Sequence, residues 1–364
     1  MKKFLCVILA ALLAAAMAGC KDGGKKPETS TNIIKDYTGT VTTTTTQKVL
    51  SDEELELPET AKEGFYIEGT KLYDANGNEF IMRGINHAHA WYKSFLDDAI
   101  NGIAATGSNT IRIALADGSQ YEEDLLEDIK EIIQKCKMKK MICVLEVHDE
   151  TGSDREEDVL RAAEYWVKNK EALIGNEAYV IVNIANEWYG SWGAQGWADG
   201  YKKAIKIIRD AGIKNTLMVD SAGWGQFPRS IERNGEEVFA ADPLKNTMFS
   251  IHMYEGSGRS EAVVKRNMDS VLDKGLCLCI GEFGYKHKGK DVAEEAVMSY
   301  CKEKGVGYIA WSWMGNGGGV EYLDIADDWK GETLSSDWGE PLVDGQNGIR
   351  ETAKVCSVFK KKGE

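Results

Sequence analysis

Histidine is scarce in this sequence, five in 364 residues, and no two of its eight cysteines form a C-x-x-C pair. A zinc site therefore has no framework here. No G-x-G-x-x-G follows the first predicted strand, which removes the usual dinucleotide-binding arrangement. Outside the N-terminal segment lysine and arginine form no cluster, and the formal net charge is -14. That balance argues against nucleic acid and disfavours anionic lipid headgroups and acidic polymers, so a neutral partner fits best. The apolar stretch 4–17 is too short for a comfortable membrane span. No appended carbohydrate-binding module is visible.

What is present begins with a targeting pattern. Lys2 and Lys3 precede the apolar stretch, and Met17, Ala18, Gly19 and Cys20 close it. The closing residues resemble the lipobox of bacterial lipoproteins. The resemblance implies cleavage before Cys20, a lipid on its sulfur and anchoring at the extracellular face of the cell envelope. An ordinary signal peptide, giving a secreted protein, is the alternative. Residues 1–20 are thus the signal, and polar residues 21–63 are expected to be a disordered tether. The folded domain is expected at 64–361. Its six cysteines fall in predicted strands (Cys143, Cys277, Cys279) and helices (Cys136, Cys301, Cys356). Export would invite disulfides, yet no C-x-x-C spacing occurs among them. They read as small buried hydrophobes.

Residues 65–67 and 71–73 flank a turn-forming Glu68, Gly69 and Thr70, which predicts a small β-hairpin cap. Strand-like apolar runs follow at 80–85, 110–115, 141–147, 180–185, 216–220, 248–252, 277–281 and 307–311. Helical periodicity lies between them, at 122–136, 159–173, 197–211, 260–273 and 291–304, with another helix after Pro228 and a last one at 349–360. Strict βα alternation implies a parallel sheet with right-handed crossovers, and eight units in one domain imply an α/β (β/α)8 TIM barrel.

In such a barrel the active site lies at the carboxyl ends of the strands. Those ends deliver Asn86, His87, His89 and Trp91; Arg112; Glu146, His148 and Asp149; Asn186 and Glu187; Asp220, Ser221 and Trp224; His252 and Tyr254; Glu282; and Trp311 with Trp313. Two buried-type strands, far apart in sequence, each end in a glutamate. A carboxyl group beside apolar rings favours its protonated form, as a general acid requires. Glycoside hydrolysis needs two such carboxyls. Tryptophans around a polar rim suit a carbohydrate cleft, because indole faces stack on sugar rings.

Asn186 with Glu187 after strand four, and Glu282 after strand seven, resemble the signature of clan A glycoside hydrolases. With Arg112, His148, His252, Tyr254 and Trp311 at their strands, the set resembles glycoside hydrolase family 5. The runs 83–92, 183–190, 222–226 and 280–284 resemble that family's bacterial endo-β-1,4-mannanases. The resemblance implies that Glu187 is general acid and then general base, and that Glu282 is the nucleophile of a retaining reaction on mannan, glucomannan or galactomannan. It further implies that Asn186 bonds the sugar 2-OH and that Arg112 and Tyr254 hold Glu282. His252 would orient Glu187, and His148 and Trp311 would line the reacting subsite. No metal or other cofactor is implied, and a monomer acting on a neutral β-linked polysaccharide is expected, with membrane contact only through Cys20.

Several readings stay open at this point. His87, His89, Trp91, Trp192 and Trp224 are cleft candidates or structural residues. Of Trp311 and Trp313 at the end of the last strand, one is expected to face the centre, and Trp311 is chosen. Glu146 is expected to point outward and His287 to be solvated, and Asp220 is either a rim residue or the cap of a helix or loop. The long loop 314–347 should shape subsites. A β-1,4-endoglucanase uses the same carboxylates, and a non-catalytic glycan-binding lipoprotein is the reading from another class.

Overall fold

A computed structural model describes residues 48–360. The signal 1–20 with Cys20, the tether as far as residue 47, and Lys361 lie outside the described residues. Eight parallel strands close on themselves: β1 (Arg83–His87), β2 (Thr110–Leu115), β3 (Ile142–Val147), β4 (Val180–Asn183), β5 (Leu217–Asp220), β6 (Thr247–Met253), β7 (Leu278–Phe283) and β8 (Gly307–Ala310). Every residue of these strands is buried, because helices cover the outside and side chains fill the inside. Helices α1 (Leu96–Ala105), α2 (Leu126–Met138), α3 (Glu156–Lys168), α4 (Gln195–Asp210), α5 (Arg229–Ala241), α6 (Glu261–Leu272) and α7 (Glu294–Lys304) make the outer ring. The six cysteines are all buried and free.

The hairpin forms as expected, Tyr66–Glu68 against Lys71–Tyr73, with the rings of Tyr66 and Tyr73 stacked at 5.4 Å. It closes the N-terminal mouth: Phe65 N–H donates to Glu177 O just before β4, and Asn246 Nδ2, just before β6, donates to Phe65 O.

Two expectations change. The segment before Gly64 is not all tether. Ser51 and Glu54 form a reciprocal capping box on a one-turn helix, Asp52–Leu55, and Leu57 packs on the core. Lys137 Nζ bonds Asp52 at 2.8 Å. The helix expected over 349–360 is also broken. Only Ile349–Thr352 is α-helical, and Ser357–Phe359 is a 3₁₀ turn. Tertiary bonds outweigh helical propensity there: Asn109 Nδ2 donates to Lys354 O at 2.9 Å, and Asp74 Oδ2 accepts from Ser357 N at 3.2 Å. The helix after β8 is instead Gly339–Asp344.

One irregularity positions the site. The β6–β7 register slips at Ile251/His252, so Ile251 pairs with Ile280 but His252 pairs with Glu282. The skipped residue is Gly281, where a Cβ would lie 2.3 Å from Ser250 Oγ and 3.2 Å from His252 Nε2. A bulge re-aims side chains, and only glycine fits in this one. It turns His252 and Glu282 to the same interior face.

Candidate active site

The apolar run of β4 ends at Asn183, and four residues later Glu187 sits in the left-handed region at φ 45°. A non-glycine residue there is uncommon and marks a position over-determined by its neighbours. Asp220 Oδ2 accepts from Glu187 N–H at 3.0 Å, and Gly152 N–H donates to Glu187 O at 3.1 Å. The carboxyl is thereby aimed across the barrel at His252, whose Nδ1 lies 2.7 Å from Glu187 Oε1.

Opposite stands Glu282. Arg112 Nη1 donates to its Oε1 at 2.9 Å, and Tyr254 O–H donates to its Oε2 at 2.9 Å. Ligand atoms of Glu187, His252 and Glu282 lie within 4.8 Å of one another. A separation near 5 Å lets one carboxylate attack directly, whereas an inverting pair stands roughly 6.5–9.5 Å apart to admit water.

Arg112 ties the two together. Its fork also reaches Asn86 Oδ1 at 2.9 Å, Asn183 Oδ1 at 2.9 and 3.0 Å, and Asn186 Oδ1 at 2.7 Å. Glu146 and Asp220 each lie 3.7 Å away. Glu146 therefore points inward, contrary to the sequence expectation. Period two already placed it on one face with His148, whose Nδ1 it meets at 2.8 Å. Asp220 likewise belongs to the site and not to a cap.

Burial raises the Glu187 pKa, and the hydrogen bond and charge of His252 offset this only in part. Burial works against a charged His252, but Glu282, Asp220 and the bond to Glu187 lift it to about 10. Burial pushes Asp220 up, yet His252 and Arg112 bring it down to about 2. Burial raises the Tyr254 pKa well above its ordinary value, with Glu282 adding to it, so its hydroxyl keeps its proton to donate. The result is a protonatable acid opposite a carboxylate held by two donors. The trio also offers three ligand atoms to a metal ion. A ligand must be free of its proton; the imidazolium character of His252, and the donors on both Glu282 oxygens, work against that.

Aromatic rings wall the cleft on two sides. His148 stacks near Trp311 at 5.9 Å, and Trp91 meets His148 at 4.7 Å and Tyr121 at 4.8 Å. Trp311 Nε1 donates to Asn316 Oδ1 at 2.8 Å, and Asn316 is itself fixed by Asp324 and Ser312. Trp313 points away, buried, its Nε1 bonded to Trp329 O. On the other side Trp224, 47% exposed, lies against Gly152, where a Cβ would come within 2.2 Å of the indole. Trp224 has φ 58° between Gly223 and Gly225, which are also left-handed.

The site thus gathers Glu187, Glu282, Arg112, His148, Asn186, His252, Tyr254 and Trp311, with Trp91 and Trp224 at the rims. His89 is not brought to the cleft: it is 3% exposed, and its Nε2 lies 3.3 Å from Asp124. His287 is not simply solvated; it bonds Glu255 and its ring lies 4.6 Å from Tyr254. Asn183, Asn316 and Thr151 went unread as site residues. Asn183 had a signal, being an amide inside an apolar run. Thr151 Oγ1 accepts from Asn186 Nδ2 at 2.9 Å.

Residues 73–317 match the family model for cellulase (glycosyl hydrolase family 5). The chain is 54% identical over 296 residues to a mannan endo-1,4-beta-mannosidase of Salipaludibacillus agaradhaerens, covering 81% of this chain and 96% of that one. The catalytic domain of a mannanase from Streptomyces sp. SirexAA-E has TM-score 0.77 at 41% identity, covering 83% of this chain and 96% of that one. The β-mannanase of Thermomonospora fusca, solved as a mannohexaose complex, has TM-score 0.75 at 38% identity, covering 81% and 99%.

Proposed function

This chain belongs to glycosyl hydrolase family 5, and from that premise we propose that it is a retaining endo-β-1,4-mannanase. It hydrolyses internal bonds of mannan, glucomannan or galactomannan. The mannan assignment draws on the names of the relatives, and the mechanism rests on one observation: the oxygens of Glu187 and Glu282 stand within 4.8 Å.

His252 occupies Glu187 Oε1, which leaves Oε2 to carry the acid proton. Glu282 attacks the anomeric carbon while Glu187 gives that proton to the departing glycosidic oxygen. The bond to the leaving sugar breaks, and an ester joins the retained sugar to Glu282. Water then loses a proton to the Glu187 carboxylate and adds to the anomeric carbon, releasing Glu282 with the configuration retained. Arg112 and Tyr254 hold the nucleophile's two oxygens for in-line approach. Asn186, bonded through Oδ1 to Arg112 and through Nδ2 to Thr151, keeps a second Nδ2 hydrogen for the sugar 2-OH. We also propose lipid attachment at Cys20 at the outer face of the envelope, resting on residues 17–20; labelled palmitate that enters the protein but not Cys20→Ser is the expected result.

The test is hydrolysis of linear β-1,4-mannan against carboxymethylcellulose. Short manno-oligosaccharides should appear early and vanish in Glu187→Gln. Faster cleavage of the glucan would move the substrate, and binding of mannan without new reducing ends would leave a glycan-binding protein.

A further inference from the structure

Beyond the cleft, on the side of Glu187, lies a surface pocket of about 430 Å³ whose lining includes Trp192, Gln226, Arg229, Glu232, Arg259 and Arg266. We infer that it is a distal subsite for a carboxylate-bearing sugar on the departing arm of the glycan. This rests on Glu187 being the acid, since the departing arm lies on the acid's side.

The pocket reaches the acid through Gly225, the chain neighbour of Gln226, and through His252. Gly225 O accepts from His252 N–H at 2.7 Å, and a Cβ on Gly225 would meet the His252 ring at 2.6 Å. Trp224 stands next in the chain, over the cleft. A Cβ on Gly223 would lie 3.2 Å from the Trp192 indole, and one on Gly256 would lie 2.8 Å from Gln226 Oε1 and 3.7 Å from Trp192. Trp192 is 61% exposed, with its edge held by Phe227 at 5.3 Å. An exposed indole fixed from behind is a platform for a sugar ring.

The charged lining names the chemistry. The chain has 34 lysines and 10 arginines, yet the pocket takes three arginines and no lysine. A guanidinium matches a carboxylate with two parallel bonds, whereas an ammonium is a point charge. Among the described residues none of the three arginines has a carboxylate within 4.0 Å. Arg259 Nη1 donates to Gly256 O, and Arg266 Nη2 donates to Asn267 Oδ1, each leaving further N–H groups free. Three arginines against one glutamate give the pocket a local charge of +2. The overall charge of -14 disfavours acidic polymers at long range, but screening over roughly 8 Å at physiological salt makes the local excess decide what this pocket holds.

The experiment measures binding of methyl β-D-glucuronide and methyl β-D-glucoside to the intact enzyme by saturation-transfer NMR at low and high salt. The glucuronide should bind about fivefold tighter, the scale of an exposed charge pair. The gap should close in high salt and vanish in Arg259→Ala/Arg266→Ala, while Trp192→Ala weakens both ligands. Arg259→Gln/Arg266→Gln reads the same gap if the alanine pair fails to fold. Equal binding of the two glycosides, binding of neither, or a gap that survives in the arginine variants would overturn the inference. Mannan hydrolysis by the same preparation separates the readings. Mannan cleavage without a glucuronide preference sinks this inference alone, and a glucuronide preference without mannan cleavage sinks the mannanase reading alone.

Discussion

Arg83 and Arg112 lie buried in adjacent strands of the same barrel, one at each mouth, and they are surrounded by different chemistry. Arg83 faces neutral acceptors: Nη1 donates to the carbonyls of Met82 and Val306 at 2.8 and 2.9 Å, Nε donates to Thr352 Oγ1 at 2.9 Å, and the guanidinium lies 4.3 Å from the Tyr308 ring. Arg112 faces three carboxylates and three amides. Arg83 ties the closing strand and the C-terminal turn to the barrel floor. Arg112 sets the position of the groups that would react. A buried cation is therefore not by itself a mark of function; the titratable partners around it are.

The sharpest way to break this contrast is the same substitution at both places. Arg112→Lys loses the fork that reaches Glu282, Asn183 and Asn186 together. Turnover on mannan should fall by roughly 10²–10³-fold, the scale of losing one preorganised electrostatic donor. Arg83→Lys should keep turnover per folded molecule and lose about 1–3 kcal/mol of stability from unmade buried hydrogen bonds. Steady-state rates and thermal melts on both variants measure this. Equal losses of turnover would mean that the two arginines do the same job.

A second test sharpens the electrostatic side. His252 is lifted to about 10 from an unfolded value near 6.5. Its contribution to stability is therefore fully present below pH 6.5 and is lost as pH rises towards 10. In His252→Gln the decline of stability across that window should flatten. Catalysis has an alkaline decline of its own. Glu187 must hold its proton to act as acid, so turnover falls as pH rises through its raised pKa. Removing His252 removes two influences that hold that pKa down and leaves burial, which raises it. The alkaline limb of the rate profile should shift to higher pH, with a rate loss of roughly 10–100-fold, within the general acid–base range. An unmoved limb would show that His252 does not couple to the acid.

The contrast also explains which parts were legible in the sequence. Glu187 and Glu282 stood out because each ends a buried apolar run, where a carboxylate has no packing reason to be. Period two could not sort Trp311 from Trp313, which are two apart and lie beyond the strand end at Ala310. It should have turned Glu146 inward with His148, and that signal was present and misread. The pairing of His252 with Glu282 had no periodic trace, because a register slip at Gly281 creates it. The Asn316 clamp on Trp311 depends on the path of a long loop through space, which local pattern does not encode. The last helix failed for the same reason, since Asn109 and Asp74 hold its residues from far away in the chain.

The smallest expected effect concerns a third buried cation, again at the barrel floor. Lys137 Nζ is almost fully enclosed, pairs with Asp52 at 2.8 Å and lies 4.7 Å from the Tyr179 ring. Burial lowers its pKa, and Asp52 works in the opposite direction. A chain beginning at Gly64 keeps the whole barrel but removes Asp52, the capped turn and Leu57. Its loss leaves the amine without its carboxylate and opens the patch that Leu57 covers. The cost should be about 1–3 kcal/mol for an orphaned polar group, or roughly 2–10 °C in melting temperature at the scale of a domain this size. Turnover should not change, because the segment caps the mouth opposite Glu187. Asp52→Asn in the full chain separates the two contributions: it removes the charge pair while keeping Leu57 in place. If the shortened chain melts with the full one, the segment before Gly64 contributes nothing to the floor, and the tether extends as far as the sequence pattern first placed it.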